Sequence, residues 1–318
     1  MISEFKSPIQ KSQLDCENNH LYFLREDLIP FSFGGNKVRI AEKFILDMKK
    51  QKKNCIVAYG NSRSNLCRVL SNMCCAWEIP CFVISPADED GKYVFTNNKR
   101  MVNLFGAEII ECRKQNVANI VQETLDMCKI RGYNPYYIYG NRYGNGNEAT
   151  PVDAYAKVIK QIKEYEQKEK TKFDYIFHAS STGMTQAGLI SGSIIYDVES
   201  KIVGISTARK REQEIEVLNK YINEYMKSLG IETGDYYEKI FFEDNWICGG
   251  YGKYNDSILS VIKKVLKKDG INLDPTYTGK AFWGMLEYLK RENISGKNIL
   301  FVHTGGTPLF FDCLDQLK

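Results

Sequence analysis

Short apolar runs closed by turn residues alternate along this chain with longer segments in which apolar positions recur every three or four residues. The short runs predict strands: CIVAYG at 55–60, CFVISP at 81–86, AEIIEC at 107–112, YYIYGN at 136–141, DYIFHAS at 174–180, KIVGISTA at 201–208 and NILFVHTGG at 298–306. The longer segments predict helices. In SNLCRVLSNMCCAW at 64–77, Leu66, Val69, Leu70, Met73 and Cys74 share one face, which marks a core-facing stripe. A second helix is predicted over 152–170, and an amphipathic one over about 211–230, closed by Gly230. GNRYGNGNEATPVDAY, from Gly140 to Tyr155, is rich in Gly and Asn and contains a Pro, so it is expected to be a long loop where the chain passes between domains. Strands alternating with helices predict an α/β fold with largely parallel sheets.

Composition narrows the classes. A chain of 318 residues exceeds the usual single domain, so two domains are expected; 43% hydrophobic, 26% charged and 12% aromatic residues are those of a folded globular protein. Lys and Arg number 43 against 39 Asp and Glu, and the basic residues are scattered, which speaks against a nucleic-acid partner. The charge run from Lys157 to Lys172 alternates in sign, as a solvated helix face does. No apolar run approaches the ~20 residues of a membrane helix, and MISEFKSPIQ lacks a signal-peptide core, so a cytoplasmic protein without membrane contact is expected. The ten cysteines form no CxxC pair, and the histidines His20, His178 and His303 are far apart, so reduced thiols and no metal site are expected.

In parallel α/β sheets ligands sit beyond the carboxyl ends of strands, so the strand-to-helix turns are the informative places. FGGNK at 33–37 has two glycines that permit close backbone approach, followed by Asn36 and Lys37; a buried lysine is a natural Schiff-base nucleophile. YGNSRSN at 59–65 opens a helix whose free N–H groups, with Ser64 and Asn65, make a carboxylate cradle. SSTGMTQAG at 180–188 is small, uncharged and donor-rich, with Gly183 and Gly188 allowing close approach, which suits a phosphate. YTGKAFWG at 277–284 and HTGGTP at 303–308 place Tyr277, Thr278 and Thr304 near one sheet edge, where they could stack on and bond a planar ring. There is no GxGxxG after the first strand and no GxxxxGK[ST], which speaks against dinucleotide and ATP cradles.

REDL at 25–28, FGGNKVR at 33–39, SN at 64–65, TGMTQAGL at 182–189, YG at 251–252, YTGKAFWG at 277–284 and HTGG at 303–306, in this order, resemble the family of 1-aminocyclopropane-1-carboxylate deaminase and D-cysteine desulfhydrase. That family belongs to the tryptophan-synthase-β-like, fold-type II pyridoxal-phosphate enzymes, and the likeness spans about residues 20–310. It implies two open three-layer αβα domains with mostly parallel sheets, a large one of residues 1–40 and 149–318 and a small one of 41–148, with pyridoxal 5'-phosphate in the cleft between them. It further implies a homodimer acting on a small amino acid. By the same resemblance Lys37 is the Schiff-base lysine and proton carrier, and Asn36 bonds the cofactor's 3-hydroxyl. Thr182, Gly183, Met184 and Thr185 hold the phosphate, with Thr278 and Thr304 also on the cofactor. Ser64, Asn65 and position 66 bind substrate, with the Ser64 hydroxyl near the reacting carbon, and Tyr251 and Tyr277 line the pocket as candidate catalytic groups.

Thr278 separates the chemistries that the resemblance allows. The cyclopropane-opening deaminases carry a carboxylate there, facing the pyridine nitrogen, whereas a hydroxyl leaves a weaker electron sink that suits β-elimination. Lys37, displaced by substrate, would then take the α-proton, and loss of a β-substituent such as a thiol would end in pyruvate and ammonia. D-cysteine desulfhydrase is the activity so implied; a sulfonate leaving group is a variant, ring opening is the rival, and a cofactor-binding protein without turnover is the reading outside catalysis. Two departures bear on the substrate. Leu66 stands where relatives carry a polar His or Gln, and Asn61, Ser62 and Arg63 replace a more familiar Gly, Ile and Gln, with Arg63 either solvated or set to meet an acidic group.

Overall fold

The computed structural model describes residues 4–14, 16–88 and 91–317. They form two compact units, one of Met1–Asn36 with Val152–Lys318 and the other of Lys37–Pro151. The chain enters the first unit with β1 (Ile9–Lys11) and β2 (His20–Leu24), leaves it along α1 (Asn36–Lys50), and builds the second from β3 (Cys55–Tyr59), α2 (Asn65–Ala76), β4 (Cys81–Pro86), α3 (Asn97–Leu104), β5 (Glu108–Cys112), α4 (Val117–Ile130) and β6 (Pro135–Tyr137). It returns through α5 (Ala149–Glu169) and completes the first unit with β7 (Tyr175–Ser180), α6 (Met184–Tyr196), β8 (Lys201–Ser206), α7 (Arg211–Ser228), β9 (Phe241–Glu243), α8 (Asp256–Asp269), α9 (Thr278–Arg291), β10 (Asn298–Val302) and α10 (Thr307–Phe311).

The first unit holds a six-stranded sheet in the order β1-β2-β10-β7-β8-β9, and the second a four-stranded sheet in the order β5-β4-β3-β6. Every neighbouring pair is parallel except β1 with β2. Both sheets are α/β with helices on them, as the alternation along the chain predicts. Successive residues of a strand face opposite sides. On β8 a Cβ at Gly204 would meet Gln186 of α6, whereas the neighbouring Ile205 lies against Gly284 of α9, so these two helices cover opposite faces. Burial on both sides explains why IVGIS and CIVA read as continuous apolar runs. In the first unit Phe23 stacks on Phe282, with Phe301 edge-on to both. In the second, Cys55, Val57, Phe82 and Ile84 share a face with Val121 and Cys128 of α4.

The expected strand at 136–141 is shorter, because only Pro135–Tyr137 is strand and the chain then turns at Gly140, whose φ is +86°. The expected loop up to Tyr155 is also shorter. Helix α5 already begins at Ala149, with Pro151 in its first turn, where a missing N–H leaves no helical bond unmade. YTGKAFWG is not a turn beyond its first residue: α9 starts at Thr278. None of the ten cysteines is in a disulfide among the described residues, with Cys75 exposed, Cys81 and Cys248 half-buried and the others buried. No helix among the described residues is long and apolar enough to cross a membrane.

Gly188 serves packing rather than ligand approach. A Cβ there would lie 2.4 Å from the Cβ of Tyr155 and 2.7 Å from the Val152 carbonyl oxygen, and one at Gly192 would lie 2.4 Å from the Ala156 carbonyl oxygen. These two glycines let α6 touch the backbone of α5. Gly188→Ala is therefore expected to destabilise the protein by about 1–3 kcal/mol, because neither contact atom sits on a flexible end; a urea unfolding curve followed by circular dichroism reads the change.

Candidate active site

The glycines of FGGNK act on a backbone that is left-handed for four residues running, with φ of 45° at Ser32, 59° at Phe33, 64° at Gly34 and 100° at Gly35. A Cβ on Gly34 would lie 2.0 Å from the Asp27 carbonyl oxygen, and one on Gly35 2.9 Å from that of Thr304. Only glycine fits either place. The turn is held by the Gly34 N–H on Phe31 O at 2.7 Å and the Gly35 N–H on Glu26 O at 2.8 Å. It delivers Asn36, whose N–H donates to Thr304 O at 3.1 Å and whose Nδ2 donates to Thr185 Oγ1 at 2.8 Å. Three of the residues singled out from sequence are thus joined within the first unit.

At the end of β7 the chain passes through Ser180, Ser181 and Thr182 to Gly183, which caps α6 with φ of 76° and without a side-chain cap. The N–H groups of the first turn consequently have no partner inside the helix, at its positive end. A Cβ on Gly183 would meet Glu214 Oε1 at 2.8 Å, and burial raises that carboxyl while Arg209, 2.6 Å from Oε2, opposes the rise. Ser180 Oγ and Thr207 Oγ1, at the ends of adjacent strands, are buried hydroxyls without a hydrogen-bond partner among the described residues.

Thr278 has a partner that the sequence did not announce. Its hydroxyl donates to Asp274 Oδ2 at 2.8 Å and accepts the Asp274 N–H at 2.8 Å. Asp274 is fully buried and also accepts the N–H groups of Thr276, Tyr277 and Thr278, so four donors occupy its two oxygens. Burial raises its carboxyl against those bonds. Gly306 exists for it, since a Cβ there would lie 2.2 Å from Asp274 Oδ2. Tyr277 precedes α9, and its hydroxyl is hydrogen-bonded to that of Tyr251, the two rings meeting edge-on at 5.7 Å. The Tyr251 loop is in turn tied down by Lys280, a fully buried ammonium on α9 that donates to Gly250 O at 2.7 Å, Ile247 O at 2.8 Å and Thr207 O at 3.0 Å. Burial lowers Lys280 to about 8.

In the second unit Ser64 is the N-cap of α2, accepting the Cys67 N–H at 3.1 Å, with Asn65 the first helical residue. Leu66 is 5% exposed and belongs to the packed side of the helix. Arg63 is not left to solvent: it pairs with Asp88, both of whose oxygens lie 2.9 Å from one guanidinium nitrogen. Lys37, in the first turn of α1, is half-buried, and burial alone lowers its amine to about 8.

Pyridoxal phosphate can be tested against these residues. Its phosphate asks for many neutral donors, and the first turn of α6 with the hydroxyls of Ser180 and Thr207, unpaired among the described residues, provides them. Its aldehyde asks for an amine that is neutral at accessible pH, which Lys37 provides. The residues fit. A family model described as pyridoxal-phosphate dependent enzyme matches residues 3–305. The chain is 27% identical over 316 residues to a D-cysteine desulfhydrase of Serratia proteamaculans, with 96% of this chain and 92% of that protein covered. It is 28% identical over 312 residues to a D-cysteine desulfhydrase of Yersinia enterocolitica, with the same shares covered. Among solved structures it is similar to an ACC deaminase homologue, with a TM-score of 0.86 at 27% identity over 100% of this chain and 94% of that one.

Lys280→Met removes a charged donor shared by three carbonyls, of which Ile247 O and Gly250 O keep only the turn bonds from the Gly250 and Lys253 N–H groups, and hydrogen bonds from a charged donor carry most of its worth there. The variant is expected to lose about 2 kcal/mol of stability and to become cleavable within residues 247–253, read by urea unfolding and by limited proteolysis with mass spectrometry.

Proposed function

Because the chain belongs to the pyridoxal-phosphate-dependent enzymes, we propose that it catalyses α,β-elimination on a small amino acid of the D-cysteine type, giving a 2-oxo acid and ammonia. The observation that carries this reading is Thr278, a hydroxyl bound in both directions to Asp274. No ionised carboxylate is thereby offered at position 278, and Asp274 does not substitute for one, since its oxygens are taken up by four donors. Elimination asks least of such a site, because a leaving group departs as the α-proton is removed and little charge accumulates.

Thr182, Gly183, Met184 and Thr185 hold the phosphate in this reading, joined by the Ser180 and Thr207 hydroxyls, while Asn36 and Thr304 position the ring together with Thr278. The cofactor, bound through its aldehyde to an amine, supplies an electron sink for a carbanion. Lys37 Nζ takes the proton from the substrate's α-carbon; with its amine lowered to about 8, about a tenth of it is neutral at pH 7. Ser64 and Asn65 hold the substrate carboxylate, the Ser64 O–H remaining a donor because the oxygen accepts from Cys67. Tyr251 and Tyr277 line the side-chain pocket and share one hydroxyl contact.

Two measurements test this. Mass spectrometry of products from a panel of D- and L-amino acids with 1-aminocyclopropane-1-carboxylate is expected to find pyruvate from a β-thiol substrate, reduced at least about a hundredfold in Lys37→Ala. Release of 2-oxobutanoate from the cyclopropane substrate would assign ring opening instead, and no 2-oxo acid from any substrate would exclude both. In the second, apoprotein is mixed with pyridoxal phosphate and the visible band is followed. Only neutral Lys37 attacks the aldehyde, so the rate should climb about tenfold per pH unit below 8 and level off above it.

A further inference from the structure

The turn that carries Ser64 and Asn65 is braced by the start of α3, within the second unit. Thr96 caps α3 and donates its hydroxyl to Ser62 O. Asn98, fully buried, donates from Nδ2 to Arg63 O at 3.0 Å and to Asn65 Oδ1 at 2.9 Å. Its own Oδ1 is buried and has no hydrogen-bond partner among the described residues, so that oxygen does not choose the orientation. The two acceptors do.

We propose that Asn98 is a positioning residue that fixes which end of the Asn65 carboxamide meets the substrate and so makes the turn select a carboxylate over a carboxamide. The proposal rests on the reading that Ser64 and Asn65 take the substrate's carboxylate. A backbone carbonyl only accepts, so the bond to Arg63 O requires the nitrogen end of Asn98 to face the turn. That same nitrogen reaches Asn65, which must therefore answer with its oxygen. The Asn65 Nδ2, with its two N–H groups, is left at the other end of the amide. Reversing Asn98 would set its oxygen against two other oxygens.

The result is a subsite of uniform polarity. Ser64 accepts from Cys67 and keeps its O–H as a donor, and Asn65 presents N–H at the first residue of α2. The nearby cation does not contribute, because Arg63 faces Asp88, which also accepts from Asn61 Nδ2 at 2.8 Å. Neutral donors alone make the distinction: a carboxylate offers an acceptor to each, whereas the NH2 of a carboxamide meets a donor with a donor.

The test uses holoenzyme and two ligands with no β-substituent to lose, glycine and glycinamide, with dissociation constants read from the change in cofactor absorbance. Wild type should prefer glycine. In Asn98→Asp the carboxylate can only accept, so Asn65 turns its nitrogen inward and its oxygen outward. Glycine should then bind at least tenfold more weakly while glycinamide loses less or gains, and the preference ratio should fall by at least tenfold. Asn98→Leu should weaken glycine without inverting the preference. A ratio unchanged in folded, cofactor-loaded Asn98→Asp overturns the proposal. Should that variant fail to fold, Asn65→Asp keeps an acceptor for Asn98 but turns an oxygen outward, and an unchanged ratio there overturns it equally. No glycine response in wild type would overturn the carboxylate reading and this proposal together; failure to release any 2-oxo acid would sink the proposed reaction and leave the ratio test standing.

Discussion

Four consecutive left-handed residues, Ser32 to Gly35, are the constraint on which the first unit's candidate ligand loops depend. Left-handed backbone at a residue with a side chain costs of order 1–3 kcal/mol and persists only where its surroundings over-determine it. Here they do. Gly34 is pressed on the Asp27 carbonyl and Gly35 on Thr304 and Gly305, so the turn is wedged between the 26–28 turn and the 303–306 turn. A side chain at either glycine would push the two turns apart. Asn36 would then lose its bond to Thr304 and its reach to Thr185 at the phosphate-type loop, and the first turn of α1, with Lys37 in it, would start from a different place.

Elsewhere the loops are held by buried polar side chains that bind backbone. Asp274 collects the N–H groups of Thr276, Tyr277 and Thr278, which lead into α9, and Lys280 collects carbonyls from the end of β8 and from the Tyr251 loop. Asn98 does the same for the turn before α2. Each serves backbone groups that no strand or helix pairs, and a buried unpaired group costs more than a made bond gains. The loops that the candidate chemistry needs are irregular, so their rigidity has to come from side chains of this kind.

That division explains what the sequence disclosed. The strands at 55–59, 81–86, 108–112, 175–180 and 201–206 and the helix at 65–76 follow from periodicity, because each buries a regular face. FGGNK and the SSTG of SSTGMTQAG are legible because glycines of positive φ and small donors stand together at the start of a helix. Strands β1 and β9, of three residues each at the sheet's edges, leave no repeat to detect. Gly188 looked like a ligand glycine since nothing local announces a helix crossing it. Arg63 needed Asp88, 25 residues on, and Asn98 acts on Asn65 from 33 residues away. Asp274 lies only four residues from Thr278, yet it hides in LDPTYTGK as an ordinary turn aspartate until its four donors are seen.

Lys37, the amine proposed to react, and Lys280 differ in their partners and not in proton affinity. Burial lowers both to about 8. Lys280 spends its three N–H bonds on three carbonyls, a geometry that only the ammonium completes; deprotonation would set a lone pair against one of those oxygens. Its hydrogen bonds therefore resist the change that its burial favours. For Lys37 burial is the sole cause of the shift, and with no acceptor fixed on its amine among the described residues, loss of the proton relieves the shift without breaking a bond. A nucleophile must expose a lone pair without dismantling its surroundings, and of these two lysines Lys37 alone meets that condition.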